Sequence, residues 1–262
     1  MGADLPGHLT ETHKTENNTV WAGKVKRLEL SGCAVDMLPK LRLHDENTVE
    51  ELVPRTGYLE HLTETLKTES KSIWVGKVRV LKLEGIVLRA FPKLRLHGEN
   101  VMEVLELNTD RPEDFAEILK EENNSIWVGR VNRLRLEDNA VGILPKLIIR
   151  EENVMEWIEL LTGSYEEISD ILRTENNSLW IGKVRRLFLF YHAVGILPKL
   201  RFHEENVFEE FVLNVYDPKG ITEILKTENK SIWIGKVRKI EFKGCAEEIK
   251  NKLDFTLITP DD

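Results

Sequence analysis

A period of 53 residues runs along the chain and constrains its fold more than any other feature of the sequence. Tryptophan, glycine and proline all recur at this interval, and whole phrases such as TENNSLWIGKVRRLFL return with them. The tryptophans of the series are Trp21, Trp74, Trp127, Trp180 and Trp233. Repeats of this length indicate supersecondary units that cannot bury their apolar faces alone and therefore stack on one another.

Each unit contains two runs of the form V-x-x-L-x-L. Val78, Leu81 and Leu83 make one such run, and a similar run begins at Met102. Nine runs follow along the chain, at steps that alternate between 24 and 29 residues. Because apolar and polar residues alternate at the end of each run, the runs predict short, half-buried strands. We therefore expect about nine strands that lie side by side over one continuous core.

The longer steps between runs are long enough to contain helices. Apolar residues at helical spacing predict helices over 59–67, 113–120, 166–173 and 221–226. Ser164 and Glu167 have the spacing of a capping box, and Asp217-Pro218 has the form of an N-cap followed by a first-turn proline. The tryptophans of the 53-residue series are expected to fill the gap between each helix end and the next strand.

Residues 134–147, LRLEDNAVGILPKL, resemble the leucine-rich repeat, whose pattern is L-x-L-x-x-N-x-L-x-x-L-P-x-L. Asn139 stands at the asparagine position, where that family also accepts cysteine, and Cys33 and Cys245 align there. The resemblance implies an α/β solenoid, a horseshoe with a curved parallel sheet and with helices or loops on its convex side. The alternating 24- and 29-residue units are similar to the ribonuclease-inhibitor-type arrangement of this family.

The repeat predicts a single domain over residues 1–262. Residues 1–20 are expected to form an N-terminal helix or cap, because HLTETHKTENNT aligns with HLTETLKTESKS of the next unit; the alternative is a sequence that starts in mid-unit. Residues 21–244 carry the repeats. Residues 245–262 depart from the pattern and are expected to form a C-terminal cap.

One face of the predicted sheet carries an unusual group of apolar residues. Side chains alternate across a strand, so the third, fifth and seventh residues of each run point away from the core. From Lys82 to Glu159 the charges at the fifth position alternate in sign between strands, which predicts a self-neutralising face. Farther along, apolar residues gather on adjacent strands with arginines beside Trp157, where cation–π contact is expected. The predicted partner-binding residues are Trp157, Leu161, Phe188, Phe190, Val212, Arg133 and Arg186.

A register shifted by one residue would instead place this apolar group in the core, since such a shift exchanges the two faces of a strand. The two interpretations differ in whether Trp157 and Phe188 are accessible on the sheet.

The sequence contains no phosphate-binding loop, dinucleotide fingerprint, zinc-protease motif or nucleophile elbow, and we predict a non-enzyme without cofactor or metal. His44, His97 and His203 share the 53-residue phase but are expected two strands apart, too far to share one metal ion. The net charge of -8 disfavours nucleic acid as a partner. With two cysteines, no signal-peptide core and no long apolar run, the chain is expected in the cytoplasm or the nucleus and not in a membrane.

These observations together predict a non-catalytic protein–protein interaction module that binds a protein of unknown identity through the concave face of its sheet. One alternative is a regulatory subunit, such as an enzyme inhibitor or a ubiquitin-ligase substrate receptor, which the resemblance alone suggests. Another is a five-bladed, propeller-like carbohydrate-binding protein with one tryptophan pocket in each unit. The oligomeric state is left open.

Overall fold

The computed structural model describes residues 16–259, and its main feature is one parallel sheet of nine strands. The strands follow each other across the sheet in chain order, and the sheet does not close on itself within the described range. Numbered along the chain, they are β2 (Arg27–Ser31), β4 (Thr48–Arg55), β5 (Ile73–Glu84), β7 (Val101–Thr109), β9 (Arg130–Asp138), β11 (Val154–Thr162), β12 (Leu179–Tyr191), β15 (Glu210–Val215) and β17 (Ile240–Gly244). The nine predicted parallel strands are thus confirmed, whereas a propeller needs separate blades arranged in a ring.

Shorter strands lie beside the large sheet and join the two halves of each unit. The segment that contains the repeated tryptophan pairs in parallel with the L-x-L segment that follows the next helix. The separate strands are β1 (Val20–Gly23) with β3 (Leu41–Leu43), β8 (Ile126–Trp127) with β10 (Leu147–Ile148), and β16 (Ile232–Val237) with β14 (Val207–Phe208) and β18 (Leu253–Leu257). In the other units, β6 (Leu94–Leu96) and β13 (Leu200–Phe202) pair with the first residues of β5 and β12.

Helical segments of two kinds connect the strands. After every other strand of the sheet comes a 3₁₀ segment, and the first four of these end in L-P-K or F-P-K: η1 (Gly32–Lys40), η3 (Gly85–Lys93), η5 (Asn139–Lys146), η7 (His192–Lys199) and η9 (Cys245–Lys252). The remaining connections are a 3₁₀ turn and one α-helical turn: η2 (Leu59–Leu62) with α1 (Thr63–Lys67), η4 (Pro112–Phe115) with α2 (Ala116–Leu119), η6 (Glu166–Ile168) with α3 (Ser169–Leu172), and η8 (Pro218–Ile221) with α4 (Thr222–Leu225).

The predicted helices therefore lie where the spacing placed them, but only part of each is α-helical. The two helix starts that the sequence predicts, at Ser164 and at Asp217, are also seen. The backbone N–H of Ser164 donates to Glu167 Oε2 at 3.1 Å, as in a capping box. The Asp217 carboxylate accepts a hydrogen bond from the N–H of Lys219 at 3.0 Å, with Pro218 in the first turn.

The core is a single apolar cluster between the large sheet and the helical segments. The V, L and L positions of the inner runs are buried in it, and most of those in the first and last runs pack against it partly exposed; for example, Val78, Leu81 and Leu83 are each at most 1% exposed. The helical segments contribute residues such as Val87 and Ile118, which are fully buried. Each such apolar side chain contributes about 1.5–3 kcal/mol when it is removed from water.

Buried asparagines cross-link successive turns of the chain at the start of the strands. They recur every 53 residues as Asn47, Asn100, Asn153 and Asn206, and none is more than 4% exposed. The side chain of Asn100 accepts a hydrogen bond from the N–H of Val78 at 2.7 Å and donates one to the carbonyl of Val128 at 3.0 Å. Backbone groups that the sheet leaves unpaired are satisfied in this way, which avoids the cost of burying them alone.

The residues that align with Asn139 lie at the other end of the strands. Asn139 donates from Nδ2 to the carbonyl of Thr109 at 3.3 Å, and the Cys245 Sγ lies 3.8 Å from the carbonyl of Tyr216. At the equivalent position His192 is buried, and its Nδ1 has no partner among the described residues.

The two predicted caps differ in how far the structure describes them. The N-terminal cap falls largely on residues 1–15, which lie outside the described residues. At the other end, η9 and β18 take the places that η7 and β13 take one unit earlier, so the repeated arrangement continues to Leu257. Of the helices in the described range, none combines the length and the apolarity that crossing a lipid bilayer demands.

Candidate interaction surface

The large sheet has one face turned away from the helical segments, and we call it the open face. It is formed by the third, fifth and seventh residues of the repeated runs. In β11, Met155, Ile158 and Leu160 are buried, while Trp157 and Leu161 are partly exposed between them. The predicted register therefore holds, and the alternative that put Trp157 in the core is wrong.

Four of the predicted residues form an aromatic cluster on the open face: Trp157, Leu161, Phe188 and Phe190. Leu161 on β11 stands directly opposite Phe190 on β12. The ring centroids of Trp157 and Phe188 are 5.8 Å apart and the two planes meet at 90°. An edge-to-face pair of this kind stabilises by about 0.5–1.5 kcal/mol beyond the area that it buries. The pair fixes the orientation of both rings, and the four side chains remain partly exposed.

Val212 does not belong to the accessible part of this cluster, although the sequence placed it there. It stands opposite Phe188 on one side and Glu241 on the other, and only 4% of its surface is exposed. Its short side chain lies below the longer side chains on the neighbouring strands. Val212 therefore supports Phe188 from beneath and offers little surface of its own.

The two predicted arginines flank Trp157 as expected but do not behave alike. Arg186 on β12 and Arg133 on β9 both stand opposite Trp157 in the sheet. Arg186 lies 3.4 Å from a carboxylate oxygen of Glu156 and 3.3 Å from one of Glu209. The expected cation–π contact of Arg186 with Trp157 is replaced by these ion pairs, because the two carboxylates, on β11 and just before β15, attract the guanidinium more strongly than a ring face does.

Ion pairs neutralise much of the rest of the open face. Lys82 lies 2.9 Å from Glu106 on the next strand, and Arg135 lies 3.2 Å from Glu159 and also pairs with Glu137. The self-neutralising stretch predicted from Lys82 to Glu159 is confirmed. Partly exposed pairs of this kind contribute about 0.2–1 kcal/mol each.

Burial and hydrogen bonding shift the pKa values of two carboxylates on the open face. Burial raises the pKa of Glu159 above its ordinary value, and the nearby Arg135 guanidinium partly opposes this rise. At the far end of the sheet, hydrogen bonds from Lys239 and Lys243 lower the pKa of Glu241 to about 2. The open face near β17 thus keeps its charge pairs over the whole physiological range of pH.

Two exposed tyrosines that sequence reasoning missed lie at the carboxyl ends of β12, one of the strands that carry the cluster, and of β15 next to it. Tyr191 follows Phe190 on β12, and its ring centroid lies 6.2 Å from that of Tyr216. Tyr191 is 39% exposed and Tyr216 is 67% exposed. The available signal was positional, because Tyr191 stands where three other units carry glycine.

The backbone at Tyr191 shows why glycine occurs at that position. Its φ is 56° and that of Asp138 is 54°, beside values of 58°, 60° and 62° for Gly32, Gly85 and Gly244. Residues with a side chain rarely adopt this region, and each such residue stores about 1–3 kcal/mol of strain. Because all five units adopt this angle at the same position, the strain belongs to the turn of the repeat and is present wherever that position is not glycine.

Replacing Asp138 with glycine is expected to raise the free energy of unfolding by about 1 kcal/mol, because the strain is relieved without loss of an aromatic contact. Tyr191→Gly relieves the same strain but loses the ring contact with Tyr216, so we expect a smaller gain together with weaker binding of the partner. Urea denaturation of the two variants checks the first point. A lower midpoint for Asp138→Gly than for the unsubstituted chain would contradict the strain argument.

The repeated tryptophans differ in exposure: Trp74, Trp127 and Trp180 are half-buried, with Trp74 packed against the core, whereas Trp21 and Trp233 in the end units lie on the surface. Trp21 is 61% exposed and Trp233 is 39% exposed. In each of four units the guanidinium of an arginine lies over the ring, at 4.2 Å in the closest case, where Arg150 covers Trp127. The rings of His44, His97 and His203 contact three of these tryptophans at centroid distances of 6.1–6.3 Å. These contacts bind the short strands to one another outside the core.

No protein-family model, no curated protein and no solved structure matches this chain.

Proposed function

We propose that this chain is a leucine-rich-repeat solenoid and that it serves as a non-catalytic module that binds a protein through the open face of its sheet. The fold part of the proposal is supported by parallel strands at alternating 24- and 29-residue steps and by the pattern of residues 134–147. The asparagines that bridge successive turns of the chain also support it, since each turn then contacts mainly its neighbours.

The observation that carries the binding proposal is the contrast between two parts of the open face. From β5 to β9 most charged side chains find partners within the chain, whereas β11 and β12 present partly exposed aromatic and aliphatic side chains. An apolar centre with arginines and a polar rim has the composition of a binding hot spot. Trp157, Leu161, Phe188 and Phe190 form its centre, with Arg133 and Arg186 beside them and Val212 beneath.

The test is a double substitution, Phe188→Glu with Phe190→Glu, which places two carboxylates in the aromatic cluster. The matched control is Ser31→Glu with Val80→Glu, which adds the same charge to the open face on β2 and β5. We expect the cluster variant to lose capture of a partner from native lysate, as measured by quantitative crosslinking, and the control to retain it. The thermal midpoint of the cluster variant should fall no further than that of the control. Unchanged capture with a collapsed midpoint would show that the aromatic rings only stabilise the fold.

A further inference from the structure

Arg133 is a charged side chain of the open face without a counter-charge in the described part of the chain. It is exposed on β9, and by the register of the sheet it stands between Val104 on β7 and Trp157 on β11. No ion pair, hydrogen bond or ring contact of its guanidinium occurs within residues 16–259. Its neighbours across the strands are thus an aliphatic and an aromatic side chain.

Other cations on the same face are differently placed. Arg135 and Arg186 each pair with two carboxylates, and Lys239 lies 2.7 Å from Glu210 and 2.6 Å from Glu241. Arg55 is also without an ion pair, but it lines a cleft of about 180 Å³ together with the carboxylate of Glu84. For Arg55 the chain itself can supply the opposite charge, whereas the carboxylates two positions along the strands that flank Arg133, Glu106 and Glu159, pair with Lys82 and Arg135.

The position of Arg133 determines which chemical group a partner protein must place beside it. A protein that covers the aromatic cluster also covers Arg133, which lies one strand away from Trp157. The water that now solvates the guanidinium is then displaced, and an uncompensated buried charge costs several kcal/mol. A carboxylate of the partner offsets that cost best, because it can accept two parallel hydrogen bonds from one guanidinium.

We propose that Arg133 and the aromatic cluster form a two-part site for an acidic, apolar segment of a partner protein. This inference rests on the proposed function. A carboxylate of the segment binds the Arg133 guanidinium, and a large apolar side chain lies on Trp157, Phe188 and Phe190. Arg133 and Phe188 are two strands apart, about 10 Å, so an extended segment that crosses the strands places the two groups about three residues apart.

The experiment selects binders from a displayed library of random dodecapeptides, with the full chain as the target. We expect selected peptides to combine Asp or Glu with a large aliphatic or aromatic residue at about that separation. Arg133→Gln should weaken the best peptide by at least about 30-fold, Arg133→Lys should restore part of the loss, and Arg55→Gln should leave binding unchanged. Higher salt should weaken binding to the unsubstituted chain more than to Arg133→Gln.

The outcomes separate this inference from the function on which it rests. Peptides that lose affinity with Phe188→Glu but not with Arg133→Gln, or that show no enrichment in acidic residues, overturn the role of Arg133 alone. Peptides that bind equally well to the Phe188→Glu, Phe190→Glu variant overturn the proposed function as well, and so does a library that yields no binder dependent on the cluster. Circular dichroism of each variant shows that the sheet is intact.

Discussion

Gly129→Ala is expected to lower the free energy of unfolding by about 4 kcal/mol, because two independent effects act at the same atom. Gly129 has a φ of +86°, a conformation that L side chains rarely adopt. An added Cβ would also lie 2.7 Å from the carbonyl carbon of Asn100 and closer still to its oxygen. That oxygen accepts a hydrogen bond from the N–H of Arg130 at 2.9 Å, so it cannot move away without breaking a bond.

Gly85→Ala is the matched control for this prediction. Gly85 has a φ of +60°, and an added Cβ there meets nothing within 4 Å. Gly85→Ala should therefore lower the free energy of unfolding only by the cost of the strained dihedral angle, about 1 kcal/mol. Urea denaturation followed by circular dichroism measures both. Equal losses for the two variants would mean that the close approach to Asn100 has no part in the effect.

Asn100→Ala is expected to lower the free energy of unfolding by about 3 kcal/mol, because it leaves two buried backbone groups without a partner. These groups are the N–H of Val78 and the carbonyl of Val128, which belong to different turns of the chain. The loss should therefore appear as weaker coupling between neighbouring units as well as lower stability.

Asn206 provides the comparison for Asn100, since it occupies the same position two units later. Its Oδ1 accepts a hydrogen bond from the N–H of Val184 at 2.7 Å, but its Nδ2 has no partner among the described residues. Asn206→Ala should accordingly cost about half as much, roughly 1.5 kcal/mol. If Asn206→Ala proves as damaging as Asn100→Ala in urea titrations, the second hydrogen bond of Asn100 contributes nothing.

The sequence was sufficient to predict the sheet and its two faces, because both depend on short-range alternation. The runs around Leu81 and Ile158 bury alternate residues, and a period of two transfers directly from sequence to structure. Counting the runs therefore predicted nine strands, and the pairing order followed from the constant period. The accessibility of Trp157 on the open face followed from the same alternation.

Other features depended on neighbours that alternation alone does not reveal. Val212 is covered because the residues opposite it on both sides have longer side chains, and this requires the cross-strand register. The ion pairs of Arg186 involve Glu156 and Glu209 at positions that sequence reasoning did not place beside it. The strain at Tyr191 needed the backbone angles.

For the repeated tryptophans and asparagines, the sequence does contain a signal of their structural role, but another property of these residues obscures it. In Ile73-Trp74-Val75 the flanking residues are buried and Trp74 is only half-buried, as alternation along the strand predicts. Its size and hydrophobicity suggested burial instead. Asn100 stands at a constant phase in the sequence, but an asparagine between a charged turn and a strand is easily taken for part of the turn. Only the hydrogen bonds show that it bridges three turns of the chain.

The constant position of the bridging asparagines has a consequence for the gene that encodes this chain. If residues 101–153 were lost in frame, Asn100 would be joined to Val154, which is the residue that already follows Asn153. The residues before and after the junction would then pack against units of the same fold as their present neighbours. Recombination between equivalent codons can thus add or remove whole units without creating a mismatched contact, and each event changes the width of the sheet by about 10 Å. The length of the protein is therefore open to adjustment by unequal crossing-over, and the loss of residues 101–153 would also remove β9, which carries Arg133 beside Trp157.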